Sequence, residues 1–197
     1  MPQVSAREFE LLPLRVHAFL AGVPLHDVWA VDLPRWRDGV TLDEFLRAAS
    51  DQLFTPSLLV HMLLDIRLFV GRLFGWDREP AATAWATFAT HLTDADRSSS
   101  LAAAGTQEGF FRVVYRFENE QLDEVVNRTV HAGALSALVE ADATYRFYFA
   151  VYVREVSLFT PLYMAAIDPF RRLVVYPAML RDVSALWSET FRETVVS

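Results

Sequence analysis

Two hydrophobic periods divide the second half of this chain, and any fold open to it must accommodate both. Phe111, Val113, Tyr115 and Phe117 alternate with Arg112, Arg116 and Glu118. A period of two with one polar side marks a half-buried strand. Tyr145, Phe147, Phe149, Val151 and Val153 alternate in the same way with Arg146, Tyr148, Tyr152 and Arg154. Between these runs, Leu122 to Leu138 reads as one further strand, entered through the polar turn Asn119-Glu120. Short connections between successive strands make an antiparallel meander. After Thr160-Pro161, a cap followed by a first-turn proline, the period changes to that of a helix. Leu162, Ala166, Phe170, Leu173, Pro177, Leu180, Trp187 and Phe191 carry it, and Pro169 and Pro177 predict a kink near Asp168.

The first half is mostly helical text. Ser5 with Glu8 makes a capping box before a short helix that Pro13 interrupts. His26 to Leu33 reads as a first strand closed by Pro34. Thr41 with Glu44 opens a helix to about Ser50, and Thr55-Pro56 opens another that runs to Phe74 and stops at Gly75. From Asp77 to Gln107 only a short helix start at Thr93-Asp-Ala-Asp96 and a loop from Ser98 to Gly105 are legible. The order predicts an α+β fold: a curved antiparallel sheet wrapped around a long C-terminal helix, with extra N-terminal helices, in one domain over residues 1–197.

Composition narrows the chemistry. The 197 residues contain no cysteine and no lysine, so thiol nucleophiles, disulfides, cysteine metal sites, lysine Schiff bases and a Walker-type phosphate loop are excluded. A net charge of −7 argues against nucleic acid as a partner. None of the seven glycines forms Gly-x-Gly, and no Gly-x-Ser-x-Gly elbow exists. Two glutamates near the N-terminus fall where a signal peptide needs apolar residues, and Asp65, Arg67 and Arg72 interrupt the apolar run from Leu58 to Phe74. A cytoplasmic protein without stable membrane insertion is the expectation. Mean hydropathy is +0.20 and aromatics make up 13%. That surplus suits a large core, a dimer interface, or the wall of an apolar pocket.

Strand register points to candidate residues. With a two-residue turn at Asn119-Glu120, Phe117 faces Leu122, Tyr115 faces Glu124, Val113 faces Val126 and Phe111 faces Arg128. Glu124 and Arg128 then sit among aromatics on the apolar face. They either fix the polar end of a ligand or lie at the sheet's end and reach water. Arg112, Arg116, Asn127, Thr129 and His131 fall on the opposite face. His61 and Asp65, one helical turn apart, are two of the at least three ligands a metal needs or simply a solvent-facing stripe, and no metal or other cofactor is expected. Asp168-Pro-Phe-Arg-Arg172 sets a carboxylate and two guanidiniums at the predicted kink.

The text from Gly109 to Tyr115, Asn127 to His131, Tyr152 to Arg154, Thr160 to Met164 and Asp168 to Pro177 resembles a bacterial family known only as domain of unknown function 2867. Arg67 to Asp77, with Leu-Phe-Gly-Trp, is similar to a helix ending in that family, and many of its members have histidine where this chain has Arg171. The resemblance implies the helix-grip superfamily of START lipid-transfer domains, birch-pollen-type allergens and aromatase/cyclase proteins. There a sheet grips the last helix across an apolar cavity. It implies no catalytic residue, because the family has no established activity to carry over.

The combined expectation is a domain that binds a small, mostly apolar, lipid- or polyketide-like molecule between sheet and C-terminal helix. Phe111, Val113, Tyr115, Phe147 and Phe149 would supply the wall, Glu124 and Arg128 the polar end, and Phe170 and Leu173 the closure. A cyclase, isomerase or hydratase on the same scaffold is the alternative, with Glu124, His131 or Asp168 as general acid or base. A homodimer without a cavity, assembled through Tyr148 and Tyr152, is the third reading.

Overall fold

The computed structural model describes residues 3–49, 86–109, 111–126, 130–156 and 160–192, without the side chains of 162, 163 and 166. In chain order these form α1 (Ala6–Glu10), α2 (Arg15–Phe19), β1 (Leu25–Pro34), α3 (Leu42–Ala48), a 3-10 turn (Phe88–His91) and α4 (Asp94–Ser99). Then come β2 (Gln107–Glu108), β3 (Phe111–Arg116), β4 (Glu120–Val126), β5 (His131–Glu140), β6 (Thr144–Arg154), α5 (Thr160–Phe170), a π-helical turn (Arg171–Val175) and α6 (Tyr176–Arg192). The α+β architecture, the antiparallel sheet, the N-terminal helices and the long C-terminal helix are as the sequence predicts. The predicted helix from residue 55 to 74, with His61 and Asp65, lies outside the described residues, as do Asn127, Arg128 and Thr129.

Three helix starts follow their caps. Ser5 accepts from the Glu8 amide at 3.2 Å, Thr41 from the Glu44 amide at 3.1 Å, and Thr93 and Asp96 close a full capping box. The six strands run in the order β1-β6-β5-β4-β3-β2, all antiparallel, in an open curved sheet. Its two faces are covered differently. The back face packs Val28, Tyr115, Leu122, Leu135, Tyr148 and Ala150 against Phe9, Val16, Phe19 and Leu20 of the N-terminal helices and against Phe88. On the front face Trp29, Leu33, Tyr145, Phe147 and Val151 pack against Phe45 of α3 and Leu180, Val183, Trp187 and Phe191 of α6.

The structure corrects three expectations about register. The segment from 122 to 138 is not one strand: β4 ends at Val126, and β5 begins at His131, which pairs with Val126. This break resets the facing, so His131 shares the back face with Glu124 instead of opposing it. The two residues at the tip of the β3–β4 turn are Glu118 and Asn119, one position earlier than expected, with the Phe117 amide donating to the Glu120 carbonyl. A bulge between Val113 and Tyr115 then pairs Tyr115 with Leu122, Arg112 with Glu124 and Val113 with Asp123. Arg112 therefore belongs to the back face and Val113 to the front. Tyr148 and Tyr152 are 4% and 5% exposed beneath the N-terminal helices, so they offer no dimer surface.

The terminal helix is continuous through its prolines. Pro169 is accommodated inside α5, and in the adjoining π turn the Tyr176 amide donates to the Arg171 carbonyl. One extra residue in a turn advances the facing of every later side chain by about 100°. Phe170 and Leu173, at the junction, are 37% and 78% exposed instead of closing a pocket. Among the described residues, no helix is long and apolar enough to cross a membrane.

Candidate functional site

The front face carries polar groups that a purely structural core would exclude. Cross-strand pairing aligns Asp123, Ala134, Val151 and Asp27 in one row and Gln121, Ser136, Phe149 and Trp29 in the next. A carboxylate thus stands at each end of an apolar row, with the two backbones about 14 Å apart over three strand spacings. Ala132, Ser136 and Phe149 are only partly buried, although β5 and β6 are interior strands.

At the β1 end, two backbone irregularities meet. His26 is the additional residue of a β-bulge between Leu25 and Asp27, and opposite it lies the π turn of the terminal helix. Such bulges re-aim side chains and recur at functional sites. His26 Nε2 lies 2.9 and 3.0 Å from the two carboxylate oxygens of Asp168, and Arg171 Nη1 donates to Asp168 Oδ1 at 2.9 Å. Arg171 also donates to the Tyr176 hydroxyl. The Asp27 side chain is fully buried, with the Tyr176 hydroxyl and Arg171 Nη2 each 3.5 Å from Oδ1 and Arg172 Nε 4.0 Å from Oδ2. Among the described residues, neither Asp27 Oδ2 nor Arg172 Nε has a hydrogen-bond partner. Burial raises the Asp27 carboxyl above the ordinary range, against the pull of Arg171, His26 and Arg172. Burial likewise raises the Tyr176 hydroxyl.

His26, Asp27 and Asp168 offer ligand atoms within 4.8 Å of one another, a spacing compatible with a metal. The guanidiniums of Arg171 and Arg172 already face the same carboxylates, so the positive charge a metal would bring is supplied by the chain. The arrangement suits hydrogen bonding to a small polar group better than cation capture.

At the far end of the row, Gln121 donates to both Asp123 oxygens at 2.9 Å. Arg116 holds Gln121 and is itself paired with Glu108 at 2.7 Å. Burial pushes the Asp123 carboxyl up to about 7, reinforced by Glu108 and opposed by Gln121 and Arg116. A carboxyl that titrates there can hold or release a proton near neutral pH.

The predicted site residues do not converge. Val113, Phe147 and Phe149 lie on the front face, whereas Tyr115 and Glu124 lie on the back. A strand's successive side chains alternate sides, so these cannot wall one cavity. Phe111 is 39% exposed near the sheet edge. Asp168 alone of the three predicted acid–base groups reaches the front site. Glu124 and His131 do meet, but as an anchor under the back layer: His131 Nε2 lies 3.1 Å from Glu124 Oε2, which also accepts from the Phe88 amide at 2.8 Å. The Phe88 ring stacks on His131 with centroids 3.9 Å apart. Gly133 permits that approach, since a Cβ there would lie 3.4 Å from the Phe88 ring and 3.3 Å from Leu122. Glu124 also lines an open cleft of about 450 Å³ bordered by Thr87, Thr90, Arg97 and Arg112.

Sequence reasoning missed His26, Asp27, Tyr176 and Asp123. Asp27 had a signal, because Asp27, Trp29, Val31 and Leu33 share one side of β1, and so did Asp123, between Gln121 and Val125.

Fold and site together define an α+β protein with titratable groups set into the sheet face that its terminal helix covers. The chain belongs to the family described as Protein of unknown function (DUF2867), which matches residues 19–178. No curated protein and no solved structure matches it.

Proposed function

We propose that this protein binds a small, mostly apolar molecule between the front face of the sheet and the C-terminal helix, with the ligand's polar end at the π turn of that helix. The observation that carries this reading is Asp27, a fully buried carboxylate with an unpartnered oxygen at the meeting of a β-bulge and a π turn. An unpaired buried polar atom costs about 1–3 kcal/mol, which a ligand's hydrogen bond would offset. Trp29, Phe149 and Tyr176, with ring centroids 5.4 and 5.6 Å apart about Tyr176, supply aromatic surface beside it. Apolar walls with few placed polar groups are the usual composition of small-molecule sites. The helix-grip superfamily, whose architecture this fold is consistent with, places its ligands in the same layer.

Asp123 favours a second reading, acid–base catalysis of the isomerase, cyclase or hydratase class. Its carboxyl titrates at about 7 on the same sheet face. In that reading Asp123 exchanges a proton with the bound molecule while the π-turn site holds its other end.

Titration with N-phenyl-1-naphthylamine, whose emission rises in apolar surroundings, tests the binding reading. Saturable one-to-one enhancement, lost when Ser136→Phe fills the face, is the expected result. A linear, non-saturating signal in the wild type would sink it.

A further inference from the structure

We infer that the polar group recognised at the π turn is a hydroxyl, so that the ligand is an alcohol or a phenol. This rests on the proposed binding of a small molecule on the front face. Asp27 Oδ2 and Arg172 Nε are both buried, both lack a hydrogen-bond partner among the described residues, and lie 4.0 Å apart. That separation is too long for a direct hydrogen bond and suits one atom bridging the two. Arg172 Nε–H can only donate, and an ionised Asp27 can only accept.

The bridging atom must therefore accept from Arg172 and donate to Asp27. Water does both through one oxygen, and so does a ligand hydroxyl that displaces it. A carboxylate or phosphate would satisfy Arg172 but face the buried Asp27 carboxylate, and an ammonium or metal ion would face Arg172 in turn. Ethers accept without donating. Of the neighbouring groups, His26 and Arg171 are engaged on Asp168, and Tyr176 lies between Arg171 and Asp27, whereas the buried Trp29 Nε1, beside Tyr176, is a further donor without a partner among the described residues. Arg172, with its side chain 40% exposed, connects this pair to solvent. A hydroxyl on an aromatic or aliphatic body fits this combination.

The test compares 2-naphthol with 2-methoxynaphthalene, which differ in the donor hydrogen and one methyl group. Both are titrated into the full chain at pH 8, with calorimetry and tryptophan emission as readouts. The wild type is expected to bind 2-naphthol at one site at least about tenfold more tightly than the ether. Arg172→Met keeps the apolar stem, and Asp27→Asn keeps the shape; each should bring the two affinities within about threefold of each other. Equal affinities in the wild type, or a preference that survives both substitutions, would overturn the hydroxyl assignment. If N-phenyl-1-naphthylamine binds and 2-naphthol does not, the assignment falls while the binding reading stands. If none of the three binds, both fall.

Discussion

His131→Ala is expected to destabilise the fold by about 3–5 kcal/mol, through a buried carboxylate that loses one of its partners plus a cavity. His131 has no exposed surface and Glu124 is 3% exposed, so the change takes the imidazole from Glu124 and leaves it the Phe88 amide. It also removes the ring on which Phe88 stacks. Urea unfolding of the variant, read by tryptophan emission, measures the loss. His131→Gln, which retains a donor, should recover part of it. Ligand binding on the front face should change little in the folded fraction, because His131 lies on the other side of the sheet. A His131→Ala variant as stable as the wild type but devoid of function would show instead that the pair acts in chemistry and not as an anchor.

Asp123→Asn should stabilise the protein at pH 8 by up to about 4 kcal/mol and flatten its stability between pH 4 and 7. The folded carboxyl titrates at about 7, well above the unfolded value, because burial penalises its charge. The folded state therefore holds a proton that the unfolded state releases. That contribution is fully present below about pH 4 and is lost as pH rises through 7. Asparagine carries no charge at any pH and keeps an oxygen to accept from Gln121. Asp27 and Glu120 are also raised by burial and act in the same direction, so some slope survives in the variant. Asp96 acts oppositely: its salt bridge with Arg15 lowers its carboxyl, and its stabilisation is lost only in strong acid. Chemical denaturation of both proteins at pH 4 and pH 8 checks the sign. Equal stability of wild type and variant at pH 8 would mean that Asp123 is ionised without cost.

Much of the architecture was legible because it rests on local rules. The alternation through β3 and β6, the caps at Ser5, Thr41 and Thr93, and the switch of period after Thr160 each report a local preference of the chain. The failures were failures of parity. The text from Leu122 to Leu138 shows no proline or early glycine to mark the break before His131, and one misplaced break turns every later side chain to the other face. The same slip put Glu124 and His131 on opposite faces. At the π turn, which no residue type announces, Phe170 and Leu173 lie exposed to solvent.

The site was half visible. Asp168-Pro-Phe-Arg-Arg172 announced a charged kink from its prolines and charges alone. Its partners on β1, His26 and Asp27, are more than 140 residues distant in sequence, and only the pairing of β1 with β6 brings them to it. Asp123 stood in view between Gln121 and Val125, but what sets it apart did not. Its raised carboxyl results from burial, which no residue type or spacing encodes.

Native mass spectrometry of the freshly purified chain tests the binding of an apolar alcohol or phenol most directly, followed by incubation with an organic extract of the producing cells and solvent extraction of any bound species. One hydroxyl-bearing, mostly apolar passenger per chain, released by solvent and weakened by Arg172→Met, is the result predicted. A bare chain before and after incubation, with no passenger at any extract concentration, would contradict it.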